Sequence, residues 1–214
     1  MKIIDLHIHT NYSADGELSP KEIIELAEKI GIKIIAITDH NNIEGIEEAL
    51  EYAKGKDITI IPGTEISCEA SEFNTPYIDI IGLFIDYKNK ILNDLLEEIK
   101  NGTKPNIRKT IQAIKNVGGI AILAHPGLYF GDIQKIIDSF IEAGGDSIEI
   151  SYPYNELYNL NQELLIKKFG DIAKEKNLLV SGGSDFHGGK RKVSFGQYGL
   201  SKEEFEKLKN KKKD

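Results

Sequence analysis

The sequence has little of several residue types, and each shortage limits what the protein can be. Cys68 is the only cysteine among 214 residues, which excludes an internal disulfide and a four-cysteine zinc site. No apolar run approaches the roughly 20 residues that cross a bilayer. The opening segment MKIIDLHIHT lacks the hydrophobic region of a signal peptide. We therefore expect a protein of the reducing cytoplasm that has no membrane partner.

Positive charge is also scarce, with 27 lysines and arginines against 34 acidic residues and a formal net charge of -7. This balance disfavours a broad nucleic-acid-binding face and a stable nucleic-acid partner, but it leaves a local basic pocket open. Arg108 and Arg191 are the only arginines. Apolar residues make up 40% of the chain, which is ordinary for a globular protein.

Short β-branched runs alternate with helical patterns along the chain. The runs lie at about 2–8, 33–38, 58–62, 77–85, 120–124, 146–150 and 178–182, and the helical patterns at 19–30, 43–54, 89–100, 105–117, 132–143, 157–176 and 201–211. Apolar strands joined by helices favour a parallel sheet. We expect one α/β domain over 1–214, with a C-terminal helix and a lysine-rich tail in 201–214.

Residues of the types that bind metals in proteins lie at or just past the ends of these apolar runs. His7 and His9 lie at the end of the first run, His40 follows the second, His125 the fifth and His187 the seventh, and these are all five histidines of the chain. Imidazole is the commonest protein metal ligand. An open sheet would spread the strand ends by about 4.8 Å per strand, whereas a closed barrel gathers them at one mouth. The distribution therefore favours a barrel.

Spacing and surroundings single out particular side chains. Residues two apart on a strand face the same side, so His7 can bind a metal together with His9, and Asp185 together with His187. Glu65 lies in a run that is otherwise apolar or small, where an unpaired carboxylate would be costly, and this favours ligation.

Three further carboxylates have other readings on sequence alone. Asp15 lies in the loop TNYSADG, where an aspartate commonly forms a turn. Asp39 should point away from its neighbour His40, and we expect it to hold another histidine in place. Glu149 is either a base that supports the site or a charge on its rim.

Mechanisms that use a protein nucleophile lack their motifs. Cys68 has Asn74, not arginine, six positions later, and no G-x-S-x-G elbow is present. The segment SDFHGGKR departs from a P-loop at both ends. Hydroxide activated by a metal centre remains, and it needs no protein nucleophile.

The segments DLHIHTNYSADGELSP, AITDHNNIEG, PGTEIS, AHPG and GSDFHG, in this order and spacing, resemble the PHP (polymerase and histidinol phosphatase) family over about residues 3–190. The resemblance is to its small stand-alone phosphoesterases. It implies a distorted (β/α)7 barrel, similar to a TIM barrel, with two or three divalent metals (Mn, Zn or Fe) in its mouth. The implied ligands are His7, His9, Glu65 and Asp185 for a first metal, Glu65 and His125 for a second, and Asp15, His40 and His187 for a third.

The chain departs from the family pattern in two ways. Asp79 stands where many relatives have a histidine, and we expect it to be a metal ligand. Only 45 residues separate Asp79 from His125, where some relatives insert a helical subdomain that covers the substrate. We expect a more open pocket here.

The substrate has to be inferred from residues that could bind phosphate. Lys190 and Arg191 directly follow His187, and Arg108 begins a helix that could lean over the mouth. Three functions remain open. The first is a phosphoesterase acting on a nucleotide or a small metabolite phosphate. The others are an exonuclease acting on short oligonucleotides and a non-catalytic, metal-binding accessory module.

Overall fold

Seven strands form a single sheet in chain order in the structure, a computed structural model that describes residues 4–212. The strands are β1 (Ile4–Asp5), β2 (Ile34–Ile37), β3 (Thr59–Glu69), β4 (Tyr77–Leu83), β5 (Ile120–Leu123), β6 (Ser147–Ser151) and β7 (Leu179–Gly182). The helices are α1 (Pro20–Ile30), α2 (Gly45–Tyr52), α3 (Lys90–Lys100), α4 (Ile107–Asn116), α5 (Ile133–Glu142), α6 (Tyr154–Tyr158), α7 (Gln162–Glu175) and α8 (Lys202–Lys211).

The sheet is not parallel throughout, which corrects the expectation from sequence. Strands β1 to β3 are parallel, as are β5 to β7, but β4 is antiparallel to both of its neighbours. A parallel pair needs a long crossover connection, usually a helix. Between β3 and β4 the chain has only a short 3₁₀ turn, Ser71–Phe73, so β4 runs back alongside β3.

The two ends of the sheet meet, as expected for a barrel. The amide of Leu6 donates to the carbonyl of Gly182 at 3.2 Å, and the amide of Asp185 donates to the carbonyl of His7 at 2.9 Å. Ile8 pairs with Phe186 just past the two strands. The chain thus forms a single, nearly closed α/β barrel, and the ends of β1 and β7 lie side by side.

Helix positions agree with the sequence patterns except in one segment. Ser19 caps α1 through a capping box with Glu22, and Gly31 ends the helix at φ 83°. The single helix expected over 157–176 is instead two helices, because Asn159 takes a left-handed conformation between α6 and α7. Ser201 caps α8. Residues 1–3 and 213–214, the ends of the first expected strand and of the lysine-rich tail, lie outside the described residues.

Apolar residues fill both the barrel and the layer between sheet and helices. Phe205 and Leu208 of α8 pack with Ile4 and Leu6 of the β1 segment. This contact covers the end of the barrel where β1 begins and leaves the opposite end for polar residues. No helix within residues 4–212 is long and apolar enough to span a membrane.

Candidate metal centre

The open end of the barrel gathers histidines and carboxylates from five strands. His7 and His9 follow β1, His40 follows β2, Glu65 lies within β3, His125 follows β5, and Asp185 and His187 follow β7. All of these side chains are buried except His40, which is 32% exposed. A Cβ on Gly183 would lie 2.4 Å from the backbone nitrogen of His7, so only glycine allows β7 to approach β1 this closely.

Glu65 lies at the centre of this cluster. Its Oε2 atom is 3.3 Å from Nε2 of His7, 3.2 Å from Nε2 of His9 and 3.1 Å from Nδ1 of His40. Its Oε1 atom is 3.0 Å from Nε2 of His125. Burial would raise the pKa of Glu65, but the facing His7 and His40 rings outweigh it and hold that pKa well below its usual range. Glu65 is therefore an anion in contact with four of the five histidines.

Hydrogen bonds fix which nitrogen of His7 and of His9 faces this centre. Nδ1 of His7 donates to the Glu149 carboxylate at 3.1 Å, and Nδ1 of His9 lies 3.2 Å from Oγ of Ser13. With a proton on each Nδ1, the two Nε2 atoms, 3.1 Å apart, are left to bind a proton or a metal ion. Asp185 adds its Oδ1 atom at 3.4 Å from His7 Nε2 and 3.2 Å from His9 Nε2. Together with Oε2 of Glu65, these atoms form a group of four potential metal ligands.

Asp39 supports His9 through Ser13. The Ser13 hydroxyl donates to Oδ1 of Asp39 at 2.7 Å, which leaves its lone pairs for Nδ1 of His9 and for the amide of His40. Thr10 donates to the same carboxylate from its amide and its hydroxyl. Sequence reasoning predicted that Asp39 would hold a histidine but missed Ser13, which lies in a loop without any distinguishing pattern.

Glu149 is a supporting residue and not a rim charge. It is fully buried, and its second oxygen accepts the amide of His125 at 2.9 Å. A carboxylate behind a histidine is the arrangement that orients metal-ligating imidazoles and raises their basicity. His125 itself has a φ of 24°, and Asp185 one of 52°. Such left-handed backbone in residues other than glycine often marks functional sites.

A second group lies towards the outside of the mouth. Nδ1 of His187 lies 2.8 Å from the carbonyl oxygen of Asp185 and 2.7 Å from Nη1 of Arg191, and its Nε2 is 3.3 Å from Oδ2 of Asp15. The other Asp15 oxygen lies 3.8 Å from Nε2 of His40. Ligand atoms of His9, His40 and His187 all lie within 4.8 Å of one another.

Asp79 lies beside His125 at the edge of the cluster. Its Oδ1 atom accepts the Ser67 hydroxyl at 2.6 Å, and Oδ2 lies 3.9 Å from Nε2 of His125. Burial and the nearby charge of Glu65 raise its pKa to about 6. A cation between Asp79, Glu65 and His125 would relieve this repulsion. Its role as a ligand stays a prediction.

Tyr152 is a site residue that sequence reasoning missed. It is fully buried, its hydroxyl donates to Oδ2 of Asp185 at 2.7 Å, and its ring packs against His125. It follows β6, just as the predicted ligands follow their strands, so its place in the chain was an available signal.

The residues proposed to bind phosphate lie in different places. Arg191 lines a cavity of about 370 Å³ together with Glu65, Asp79 and His125, and its Nη1 is 3.3 Å from Oδ2 of Asp185. Lys190 points to Glu17, at 3.3 Å, and is 90% exposed. Arg108 is exposed at the start of α4 and does not line this cavity.

The donor set of the cluster fits divalent cations. Oε2 of Glu65 is buried without a hydrogen-bond partner, and the Nε2 atoms of His7 and His9 lie 3.3 and 3.2 Å from it. Three groups of ligand atoms, each within 4.8 Å, share these residues. Carboxylates and ring nitrogens packed this closely need positive charge between them, which metal ions can supply in place of protons. Nitrogen and carboxylate oxygen suit Zn²⁺, Mn²⁺ and Fe²⁺.

Comparisons with known proteins agree with this architecture. The sequence profile of the PHP domain matches residues 5–170. An uncharacterised protein of Methanocaldococcus jannaschii is 33% identical over 181 residues, which cover 80% of this chain and 94% of that protein. A 3′,5′-nucleoside bisphosphate phosphatase of Chromobacterium violaceum is 25% identical over 260 aligned positions, covering 87% of this chain and 88% of its own. A 5′–3′ exoribonuclease of Escherichia coli is 24% identical, covering 86% of this chain and 85% of its own.

A solved structure shows the same fold. The amidohydrolase from Chromobacterium violaceum, determined with bound sulfate and no metal, superposes with a TM-score of 0.82 at 23% identity, and the match covers 97% of this chain and 96% of that one. Together with the profile match over residues 5–170 and the 33% identity to the Methanocaldococcus protein, these findings show that the chain belongs to the PHP domain family.

Proposed function

We propose that this chain is a metal-dependent phosphoesterase that hydrolyses a small phosphorylated substrate, with two or three divalent cations at the mouth of the barrel. The observation that carries the proposal is the position of Glu65. One buried carboxylate contacts four histidines whose ring nitrogens converge on it. Relatives of the chain named as a nucleoside bisphosphate phosphatase and as an exoribonuclease support the class of reaction.

The chain offers ligands for each cation. His7, His9, Asp185 and Glu65 would hold the first, Glu65, His125 and Asp79 the second, and Asp15, His40 and His187 the third. Cations bound there would supply a water of lowered pKa and neutralise charge on the phosphate. Mn, Zn and Fe all suit this mixed nitrogen and oxygen set.

The protein's own groups would orient the reactants. Glu149 and the Ser13–Asp39 pair hold the histidines so that Nε2 faces inwards. Tyr152 fixes Asp185 from behind. Arg191, 35% exposed and on the cavity wall, is the guanidinium best placed to bind phosphate oxygens. Burial opposes its charge, but the Asp185 carboxylate outweighs this and raises the pKa of Arg191, so it remains a cation.

The cavity favours a small substrate. Its volume of about 370 Å³ suits a single nucleotide or a metabolite phosphate, and the net charge of -7 disfavours long nucleic acid. A second cavity of about 330 Å³ shares Ser67, Pro76 and Tyr77 with the first and lengthens the groove. This extension supports a short oligonucleotide as the second candidate substrate.

A panel of substrates tests the proposal. We expect Mn²⁺-loaded protein to hydrolyse a chromogenic phosphomonoester and small phosphate esters faster, in kcat/KM, than a 5′-phosphorylated oligonucleotide. An opposite order would favour the exonuclease. No hydrolysis of any phosphate ester at full metal loading would contradict the proposed function.

A further inference from the structure

Exposed aromatic side chains of this chain are concentrated at one place. Among residues 4–212, the large hydrophobic residues that remain exposed are Tyr77, Ile91, Phe130, Tyr158, Leu160, Leu164 and Ile166. Three of these are aromatic, and all three line the cavity that holds Glu65 and Asp79. The four aliphatic residues do not line it.

The three aromatic residues reach the cavity from separate parts of the chain. Tyr77 is the first residue of β4, Phe130 follows the 3₁₀ turn Pro126–Leu128, and Tyr158 ends α6. Their exposed fractions are 55%, 77% and 43%. The fold buries other aromatic side chains completely, Tyr152 and Tyr154 among them. The exposure of these three is therefore not explained by a core too small to hold aromatic residues. Their convergence calls for a ligand with an apolar face.

The same cavity carries groups suited to a phosphate. Arg191 lies on its wall together with Tyr158. A ligand that fills the cavity therefore contacts Arg191 and the metal-binding residues at one end and the three aromatic rings at the other. A nucleotide has this distribution, with a phosphate and a planar base. The cavity volume of about 370 Å³ lies within the range of pockets that bind one small ligand.

We infer that Tyr77, Phe130 and Tyr158, the aromatic rim, form a subsite that stacks on the base of a nucleotide whose phosphate lies over the metal-binding cluster. The inference rests on the proposed function and specifies its substrate class. Stacking uses the face of a ring, which every base has, so the subsite distinguishes nucleotides from other phosphate esters but not one base from another.

Binding of two matched ligands tests the inference independently of turnover. Titration calorimetry on Mn²⁺-loaded protein would compare non-hydrolysable phosphonate analogues of a nucleoside 5′-monophosphate and of ribose 5-phosphate, which differ only in the base. We expect the nucleotide analogue to bind at least about fivefold more tightly, the lower end of the effect of base stacking on an aromatic side chain. Purine and pyrimidine analogues should differ less than this.

Variants assign the preference to the rim. Phe130→Leu and Tyr158→Leu keep an apolar side chain but remove the ring, and each should reduce the ratio of the two dissociation constants several-fold. Phe130→Tyr should retain it. Leu164→Ala, at an exposed apolar position outside the cavity, is the matched control and should leave the ratio unchanged.

Two results would overturn the inference. One is equal affinity of the wild-type protein for both analogues, and the other is a base preference that survives both leucine variants. Either result, obtained with a protein that still hydrolyses a chromogenic phosphate ester, leaves the proposed function standing. Loss of all hydrolysis with the base preference intact would contradict the proposed function and not the subsite.

Discussion

Glu149 holds His7 in place from behind: its Oε1 atom lies 3.1 Å from Nδ1 of His7, and both side chains are buried. Its other oxygen accepts the amide of His125, so one carboxylate orients residues from two strands. Neither contact involves the Nε2 atoms that face Glu65. Glu149 therefore positions ligands without being one.

Glu149→Gln should weaken metal binding while the fold is retained. The amide can accept from Nδ1 of His7 through its oxygen, but it carries no charge and turns an N–H₂ group towards the amide of His125. We expect a loss of roughly 10–100-fold in metal affinity, the usual effect of such supporting residues. Competition with a fluorescent chelator would measure it. Glu142→Gln on the exposed face of α5 is the control, and equal affinities of the two variants would contradict the role of Glu149.

His9→Ala and Asp185→Ala should each lower turnover of a phosphate ester by at least roughly a hundredfold, because each removes a ligand of the metals that activate water. Circular dichroism should show that the chain remains folded. Asp171→Ala, at an exposed position of α7, is the matched control for loss of a carboxylate. A near-normal rate in either site variant with metal still bound would show that the site lies elsewhere.

Asp79 provides a test of the second cation. If its carboxylate is a ligand, Asp79→His should keep the metal but shift the preference from Mn²⁺ towards Zn²⁺, because imidazole is a softer ligand. Asp79→Ala should lower the metal-to-protein ratio by one. Mass spectrometry of the metal content distinguishes these outcomes. An unchanged ratio in Asp79→Ala would mean that the chain works with fewer metals than its relatives.

The same residue should make the metal-free protein sensitive to pH. The pKa of Asp79 is raised from 3.8 to about 6 by burial and by Glu65. The folded state thus binds the proton more tightly than the unfolded state, so Asp79 destabilises the fold as the pH rises from about 4 through 6. Asp79→Asn should accordingly stabilise the metal-free protein at pH 7, by up to a few kcal/mol, and have little effect near pH 4. Urea unfolding at both values checks this, and the reverse order would exclude the raised pKa.

The sequence predicted the barrel better than the direction of its strands. The apolar runs and the helical patterns were sufficient to place most elements, since periodicity is a local signal. The antiparallel β4 was missed because strand direction depends on the connection, and the turn Ser71–Phe73 was not recognised. The break at Asn159 was missed because its neighbours continue a helical pattern.

The site shows a similar limit. Histidines at strand ends were visible because they interrupt apolar runs, and the structure brings all five together with Glu65 and Asp185. Their role as ligands remains a prediction. Ser13 could not be assigned in the same way, because a hydroxyl that supports a ligand has no characteristic spacing and acts across distant parts of the chain. The position of Tyr152 after β6 was a usable signal, but its contact with Asp185 depends on the fold. Arg108 shows the converse, since its sequence position suggested the mouth but the fold places it outside the cavity.

The central claim is that hydrolysis depends on cations held around Glu65, and one measurement tests it most directly. Protein stripped with a chelator would be titrated with Mn²⁺ while the hydrolysis of a chromogenic phosphate ester is recorded. We expect no turnover before metal is added and a rate that rises with the first two or three equivalents and then saturates. Turnover that persists in excess chelator, or a rate that does not follow the bound metal, would contradict the account.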